Sequence, residues 1–279
     1  MSNLGRSRFR RTRLTSIALV LSAALLGALS LGAGGPRRAA TTPYRTTGDE
    51  GVIAGVVSVE GAVPPPRAVY MGADPYCERQ YRGGPTLDDL VVKDGRLAGA
   101  FVYVRGGALE RFEFEPPAAA AVFDERKCRF VPHVLGLQTG QTLRFINAEG
   151  TAHNPVVRAE KNGSFNRGLS PAEKGRVPSF FEVKLKEPEM PLTVRCNQHP
   201  WERGYLMVMA HPFFAVTDEN GAFRIGGLPP GDYEVVLWHG RLKGRAAKAS
   251  VGRRESRGVN FALRFPEDDG EPPAETPRP

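Results

Sequence analysis

Residues 196–209 read Cys196-Asn-Gln-His-Pro-Trp-Glu-Arg-Gly-Tyr-Leu-Met-Val-Met209, and they place a thiol and an imidazole three positions apart on a short loop between apolar runs. That spacing lets both side chains bind one metal ion. A further histidine, His153, lies upstream in a strand-turn context. Thiolate and imidazole are ligands that copper prefers. The alternative interpretation is a buried free cysteine beside a surface histidine, since buried cysteines are common.

Residues 1–40 have the composition of an export signal. They contain seven arginines and no acidic residue, and they run from a basic segment ending at Arg13 through an apolar stretch from Ile17 to about Gly32. This order is typical of a secretory signal, and the apolar stretch also permits an uncleaved N-terminal anchor. We therefore expect a periplasmic or extracellular protein that meets a membrane only through this leader, if the leader is retained.

The charge of the chain argues against a nucleic-acid partner. The formal net charge is +8, but without the seven leader arginines 31 basic and 30 acidic residues remain, which is a net charge of +1. No basic patch interleaved with aromatic residues remains in the mature chain, as a nucleic-acid-binding surface would need. The basic character belongs to the leader.

The rest of the chain has the pattern of an all-β protein. Residues 41–50 are polar and are predicted to be a linker, and from Gly51 short β-branched and aromatic segments alternate with turns rich in glycine and proline. Many short strands of this kind are typical of a β-sandwich or barrel. We expect one sandwich over residues 51–210 and a smaller one over 211–265, with a polar surface excursion at 158–178. Residues 266–279 are acidic and rich in proline, so they are predicted to be a disordered tail.

Three cysteines, Cys77, Cys128 and Cys196, occur in a chain predicted to enter an oxidising compartment. An odd number requires an explanation. The economical one pairs Cys77 with Cys128 in a disulfide and leaves Cys196 as a thiolate protected by metal. A free or intermolecular thiol is the competing interpretation.

Several motifs together resemble a known family. Phe130-Val-Pro132, the stretch from Leu137 to Asn147, His153-Asn154, Cys196-x-x-His199 and the strand from Gly204 resemble the pattern of a cupredoxin, or plastocyanin-like, domain. In residues 213–265, Val216-Thr-Asp-Glu-Asn-Gly-Ala-Phe and Leu228-Pro-Pro-Gly-Asp-Tyr resemble the carboxypeptidase regulatory-like domain. The resemblances imply a Greek-key β-sandwich followed by a smaller transthyretin-like β-sandwich.

The cupredoxin resemblance implies that His153, Cys196 and His199 are three strong ligands of one copper ion. It also implies a departure, because Glu202 stands in the place of the usual axial methionine. A carboxylate is a harder ligand than a thioether and would favour Cu(II). Two alternatives remain: Glu202 faces solvent and the axial position is vacant, or Met207 or Met209 reaches back from the following strand instead of packing in the core.

Four further side chains are candidates for roles around the ion. Asn147 and Asn154 are candidates for tying the two ligand loops together, or they simply form turns. His133 is an additional ligand, a ligand of a second metal, or a packed or hydrogen-bonded histidine beside the site. Trp201 is either an aromatic edge where a redox protein docks or a hydrophobic plug of the loop.

The sequence therefore predicts an exported mononuclear copper protein that carries single electrons between redox proteins. The alternatives are a copper capture or delivery protein, and a structural envelope protein with a relict metal site. An enzyme is not expected, because no nucleophile elbow, phosphate loop or dinucleotide-binding glycine pattern occurs.

Overall fold

The computed structural model describes residues 41–267, and this part of the chain is nearly all β, with 47% strand and 3% helix. The predicted export segment and the predicted tail from residue 268 onward lie outside the described residues. Within residues 41–267, no helix has both the length and the apolar character needed to cross a bilayer. The all-β prediction is confirmed.

The strands are numbered in chain order, and most are short. The first six are β1 Thr42–Pro43, β2 Gly51–Glu60, β3 Val91–Lys93, β4 Arg96–Ala98, β5 Phe101–Arg105 and β6 Phe112–Glu113. The next nine are β7 Ala121–Glu125, β8 Phe130–Val131, β9 Val134–Gln138, β10 Thr142–Asn147, β11 Pro155–Val157, β12 Phe165–Asn166, β13 Ser179–Lys184, β14 Glu189–Cys196 and β15 Arg203–Met209. The last six are β16 Phe214–Val216, β17 Ala222–Leu228, β18 Gly231–Trp238, β19 Arg245–Val251, β20 Ser256–Gly258 and β21 Phe261–Arg264. A helix α1 covers Pro75–Glu78, and a 3-10 turn covers Leu109–Arg111.

Strands β7 to β15 form what we call the central sandwich, residues 121–209. One sheet has the order β13-β10-β7-β8, and the other has the order β12-β11-β14-β15-β9. Alternation along each strand sends every second side chain inward, where Phe123, Phe145, Val194 and Leu206 are buried in one apolar core. The two sheets therefore provide the rigid support on which the ends of β7, β14 and β15 are fixed.

The remaining long strands form a second body, the terminal sandwich, made of residues 51–105 and 214–264. Its sheets have the orders β16-β5-β18-β19 and β17-β2-β4-β3, and β20 and β21 also pair with β2. The side chains of Ile53, Val102, Val235 and Leu263 share one core. The central sandwich is thus inserted in the sequence between the two segments that form the terminal sandwich.

This pairing corrects the predicted division into residues 51–210 and 211–265. Strand β2 lies antiparallel to β17, with Ala222 opposite Val56 and Ile225 opposite Ile53, and β5 lies between β16 and β18. The strands after residue 211 therefore share their core with strands from residues 51–105. The sequence could not show this, because strand pairing between distant segments leaves no local pattern.

The predicted linker at residues 41–50 is also corrected. Thr42 and Pro43 pair with Phe112 and Glu113 in a small parallel ladder. The ring of Tyr44 packs against Phe112 at a centroid distance of 5.1 Å. Aromatic contacts of this kind fix a segment that its polar composition alone would leave loose.

The two sandwiches meet along an apolar seam. Phe101 of the terminal sandwich is buried together with Val134, Met207 and Met209 of the central one. Gly136 of β9 lies so close to this seam that an added Cβ would stand 2.4 Å from the ring of Phe214. The seam therefore packs against β15, the strand that begins beside the site described next.

Candidate metal centre

Four buried side chains with metal-binding atoms converge at one end of the central sandwich. They are His153, Cys196, His199 and Glu202, and their nearest ligand atoms all lie within 4.8 Å of one another. Cys196 is the last residue of β14, and β15 begins directly after Glu202. The sheet thus fixes both ends of the loop that carries three of the four side chains.

The fourth side chain is held by a neighbouring segment. His153 and Leu169 exchange two backbone hydrogen bonds, of 3.0 and 2.7 Å, and Leu169 is 2% exposed. Leu169 lies in the stretch predicted to be a surface excursion, so that prediction is wrong at this residue. Its apolar side chain enters the core and fixes the backbone that carries His153.

Both imidazole rings point their Nδ1 atoms into the cluster. The two Nδ1 atoms are 3.2 Å apart, and Oε1 of Glu202 lies 3.1 Å from that of His153 and 3.0 Å from that of His199. Sγ of Cys196 lies 3.7 Å from Nδ1 of His199. One sulfur atom, two imidazole nitrogens and one carboxylate oxygen, all of them possible metal ligands, therefore face a common point.

These separations fit a bound ion. Nitrogen ligands about 2 Å from a tetrahedral ion lie about 3.3 Å from each other, and a sulfur ligand lies about 3.5 Å from a nitrogen one. Oε1 of Glu202 is fully enclosed yet has no aligned hydrogen-bond partner. A buried acceptor in this state costs free energy unless a cation satisfies it. The thiolate and imidazole donors are the set that suits copper.

The electrostatics of the cluster divide it into anions and cations. Burial disfavours the charged imidazolium of His153, but its close contacts with Cys196, Glu149 and Glu202 outweigh burial and raise the pKa of His153 to about 12. The same balance, with Asp74 as a further partner, raises the pKa of His199 to about 10. Burial opposes ionisation of Cys196, yet the two histidines lower the pKa of its thiol. Without a metal, protons on the histidines compensate the buried anions.

The structure decides among the alternatives for Glu202. Its side chain is 1% exposed and directed at both histidines, so the solvent-facing alternative is wrong. Met207 and Met209 are buried in the seam with Phe101 and Val134, which is the core-packing alternative. The carboxylate is therefore the side chain that occupies the fourth position of the cluster.

The two asparagines have different roles. Asn154 ties the two ligand loops together, since its N–H donates to Sγ of Cys196 (3.3 Å) and its side-chain oxygen accepts from Asn197 (2.9 Å). Asn147 instead joins the loop before His153 to the segment that follows Leu169, because its side-chain amide donates to the carbonyls of Thr151 (2.8 Å) and Ser170 (2.9 Å). Both fix the position of His153 or Cys196 rather than reach the centre themselves.

His133 and Trp201 flank the cluster. His133 is not among the ligand groups found in residues 41–267; its Nδ1 lies 3.8 Å from Asp88, and its ring packs on Tyr205. Trp201 lies against His199 with ring centroids 5.0 Å apart. The indole N–H of Trp201 donates to the carbonyl of Cys128 (3.2 Å). Trp201 therefore covers one face of the His199 imidazole and is tied to the disulfide region.

A disulfide joins Cys77 to Cys128 beside the cluster. Sequence analysis gave it no place next to the metal ligands, and it missed the two carboxylates that accompany it. Asp74 Oδ2 lies 3.1 Å from Nε2 of His199, in a hydrogen bond. Glu149 Oε2 lies 3.4 Å from Nε2 of His153 and accepts the N–H of Cys128 (2.8 Å). Each imidazole thus has a carboxylate at its outer nitrogen.

Glu125 is a further carboxylate that sequence analysis missed. It is 1% exposed, its two oxygens have no hydrogen-bond partner, and Oε2 lies 3.7 Å from Nδ1 of His153. Burial and the charge of Glu202 raise the pKa of Glu125 well above its ordinary value. Alternation along β7 could have revealed it, because Ala121, Phe123 and Glu125 point to the same side of the strand.

The chain is similar to cupredoxins of known structure over about a third of its length. A copper-containing nitrite reductase from Thermus scotoductus SA-01 is 19% identical with a TM-score of 0.28, over 34% of this chain and 25% of that one. Amicyanin from Paracoccus versutus is 20% identical with a TM-score of 0.28, over 33% of this chain and 83% of that one. A reduced amicyanin variant is 24% identical with a TM-score of 0.28, over 34% and 86% of the two chains.

No protein-family profile matches the sequence, and no curated protein matches it. The three structures give no support to the predicted resemblance of residues 213–265 to a carboxypeptidase regulatory-like domain.

Proposed function

We propose that this chain is an exported protein that binds one copper ion through His153, Cys196, His199 and Glu202 and carries single electrons between redox proteins. The observation that carries the proposal is the convergence of a thiolate, two Nδ1 atoms and a carboxylate oxygen in a buried cluster. A copper ion held by such ligands accepts and returns one electron. No catalytic turnover is part of the proposal.

The residues around the cluster would support electron transfer by keeping the metal ligands in fixed positions. Asn154 fastens the two ligand loops to each other, and the ends of β14 and β15 fix the loop between them. A site that keeps the same ligand positions in two oxidation states exchanges electrons with little rearrangement. Trp201, half-buried against His199, is the proposed point of approach for a protein partner. We expect the periplasm or the extracellular space as its location, and neither nucleic acid nor a membrane as a partner beyond a retained leader.

The test is the visible absorption spectrum of copper-loaded protein, measured with the Cys196→Ser variant. We expect a thiolate-to-copper charge-transfer band in the wild type and its loss in Cys196→Ser. Met207→Leu is the matched control, because Met207 is fully buried in the seam on the adjacent strand and should leave the band in place. A band that persists in Cys196→Ser would refute the ligand assignment.

Copper capture or delivery is the second candidate. It is favoured by the closure of the site, since His153 is 0% and His199 is 3% exposed. Cyclic voltammetry separates the two functions: a reversible one-electron couple supports the carrier, and its absence with retained tight binding supports capture. Binding of one equivalent of copper would argue against a relict site in a structural envelope protein.

A further inference from the structure

Nε2 of His199, the ring nitrogen directed away from the cluster, faces a segment that does not belong to the central sandwich. This cap segment, residues 71–78, lies between β2 and β3, which are strands of the terminal sandwich. Met71 and Cys77 are buried in a small cluster with Cys128, and Trp201 packs against that cluster. The Cys77–Cys128 disulfide joins the cap segment to the turn between β7 and β8.

Asp74 is the residue of the cap segment that reaches the metal centre. Its Oδ2 lies 3.1 Å from Nε2 of His199 and accepts the hydroxyl of Thr151 at 2.6 Å. Its Oδ1 accepts the backbone N–H groups of Tyr76 (2.8 Å) and Cys77 (3.4 Å). A carboxylate held from three sides in this way has one orientation.

That orientation fixes the imidazole as well. When Nε2 of His199 donates its proton to Asp74, the lone pair of the neutral ring is on Nδ1, which faces Cys196 and Glu202. A carboxylate on the far nitrogen also makes the ring a more basic ligand. The contact at His153 is weaker, because Nε2 of His153 has no aligned hydrogen-bond partner.

We propose that Asp74 is a positioning residue of the metal centre, which holds Nδ1 of His199 toward the ion, and that the Cys77–Cys128 disulfide keeps Asp74 in place. This inference rests on the proposed function, because it requires that the cluster binds a metal. It adds that ligand geometry in the central sandwich is controlled by a segment from outside it.

The competing explanation is that Asp74 only caps the helix that follows it, Pro75–Glu78. Asp74→Asn separates the two roles. The asparagine oxygen still accepts from Tyr76 and Cys77, as a helix cap does, whereas its NH2 group cannot accept the proton of His199. Asp89→Asn is the matched control, because Asp89 lies in the same connection between β2 and β3 and pairs with Arg67 away from the centre.

The experiment measures dissociation constants for Zn²⁺ and Cu²⁺ by chelator competition on the full mature chain. We expect Asp74→Asn to bind both ions about 10–100-fold more weakly than Asp89→Asn, the range found when outer partners of ligands are removed. We also expect the charge-transfer band of the copper form to shift only in Asp74→Asn. Equal affinities and spectra in the two variants would overturn the positioning role.

A double-mutant cycle tests the part played by the disulfide. Cys77→Ser with Cys128→Ser should weaken zinc binding in the wild-type background but add little in the Asp74→Asn background, because both changes would act through one contact. Additive losses would show that the disulfide does not work through Asp74. The free energy of unfolding of each metal-free variant, followed by chemical denaturation, shows whether a loss of affinity merely follows a loss of fold.

Zinc makes this test independent of electron transfer, since Zn²⁺ has no redox chemistry. If Asp74→Asn weakens zinc binding while the copper form has no reversible couple, the positioning role stands and the electron-carrier function fails. If the copper form has a reversible couple while Asp74→Asn and Asp89→Asn bind zinc equally well, the electron-carrier function stands and the positioning role fails. A wild-type chain that binds neither ion overturns both.

Discussion

The two sandwiches are built from the same kinds of strands, yet they bury different chemistry. The core of the terminal sandwich is apolar, and its buried Thr217 is satisfied, since its hydroxyl donates to Leu97 (2.7 Å) and accepts from Ala100 (2.9 Å). The central sandwich buries six ionisable side chains at one end, namely Glu125, Glu149, His153, Cys196, His199 and Glu202.

This difference indicates which of the two sandwiches carries a functional site. Buried charges destabilise a fold unless they are paired, and pairs often stabilise no more than apolar residues of the same volume. Departures from a simple apolar core are expected at functional sites. Apolar packing accounts for most of the terminal sandwich, where His239 and Arg241 are the buried basic side chains among the described residues. Packing does not account for the charged end of the central sandwich, which a bound ion would explain.

The largest expected effect is a loss of folding stability when a core leucine is shortened, and one leucine from each sandwich provides the comparison. Leu206→Ala in β15 and Leu237→Ala in β18 each remove a side chain that is at most 1% exposed. Each should lower the free energy of unfolding by about 2–5 kcal/mol, measured by chemical denaturation. Only Leu206→Ala should also weaken zinc binding, because Leu206 lies on the strand that follows Glu202. Equal losses of zinc affinity would show that the sandwiches respond as one unit.

A second prediction concerns protons at the charged end. His153 and His199, with pKa values of about 12 and about 10 without metal, are both protonated at neutral pH. A metal must displace a proton from each Nδ1, so affinity should rise about 100-fold per pH unit between about pH 6 and 8. Zinc titrations across this range measure the slope. His199→Gln should reduce it to about tenfold, and an unchanged slope would contradict the assignment of the second proton.

The smallest effect is on the pH dependence of stability and concerns Glu125. Because its pKa is raised in the folded protein, the folded chain keeps a proton that the unfolded chain releases near the ordinary pKa of 4.5. The free energy of unfolding should therefore contain a contribution that falls as pH rises above that value, by at most about 1.4 kcal/mol per pH unit. Glu125→Gln should remove this contribution.

Denaturation of the metal-free protein from pH 5 to 8 measures that difference. Glu234→Gln in the terminal sandwich is the matched control, because the hydrogen bond from Arg105 lowers the pKa of Glu234 and places its titration below this range. The same pH slope in wild type and Glu125→Gln would contradict an elevated pKa for Glu125.

Sequence patterns located most strands and the ligand loop but not their partners. Alternation from Tyr233 to His239 is the pattern of a strand and coincides with β18. The Asn220-Gly221 turn is a hairpin signal, but the strands beside it do not form a hairpin, because β16 pairs with β5 and β17 pairs with β2. Pattern is local, so it could not show that β2 pairs with β17 across more than half of the chain. For the same reason the two predicted domains had the wrong extents.

Local sequence patterns likewise revealed some residues of the candidate site and not others. Spacing alone brought Cys196 and His199 together, because a short loop cannot separate them, whereas Glu202 entered through the resemblance to cupredoxins. His153 needed the resemblance to a family, and Asp74 gave no signal in the sequence, since a polar residue before a proline is typical of any turn.

By itself, the sequence determined the ligand chemistry of this protein: a thiol and two imidazoles among strands, in a chain whose first 40 residues have the composition of an export signal. The tertiary structure alone decided that Glu202 points inward, that Glu125 is buried beside the site, and that Asp74 reaches His199 from a distant segment. The physical reason is that ligand types are local properties of residues. Burial and the orientation of a ring depend on which surfaces pack together.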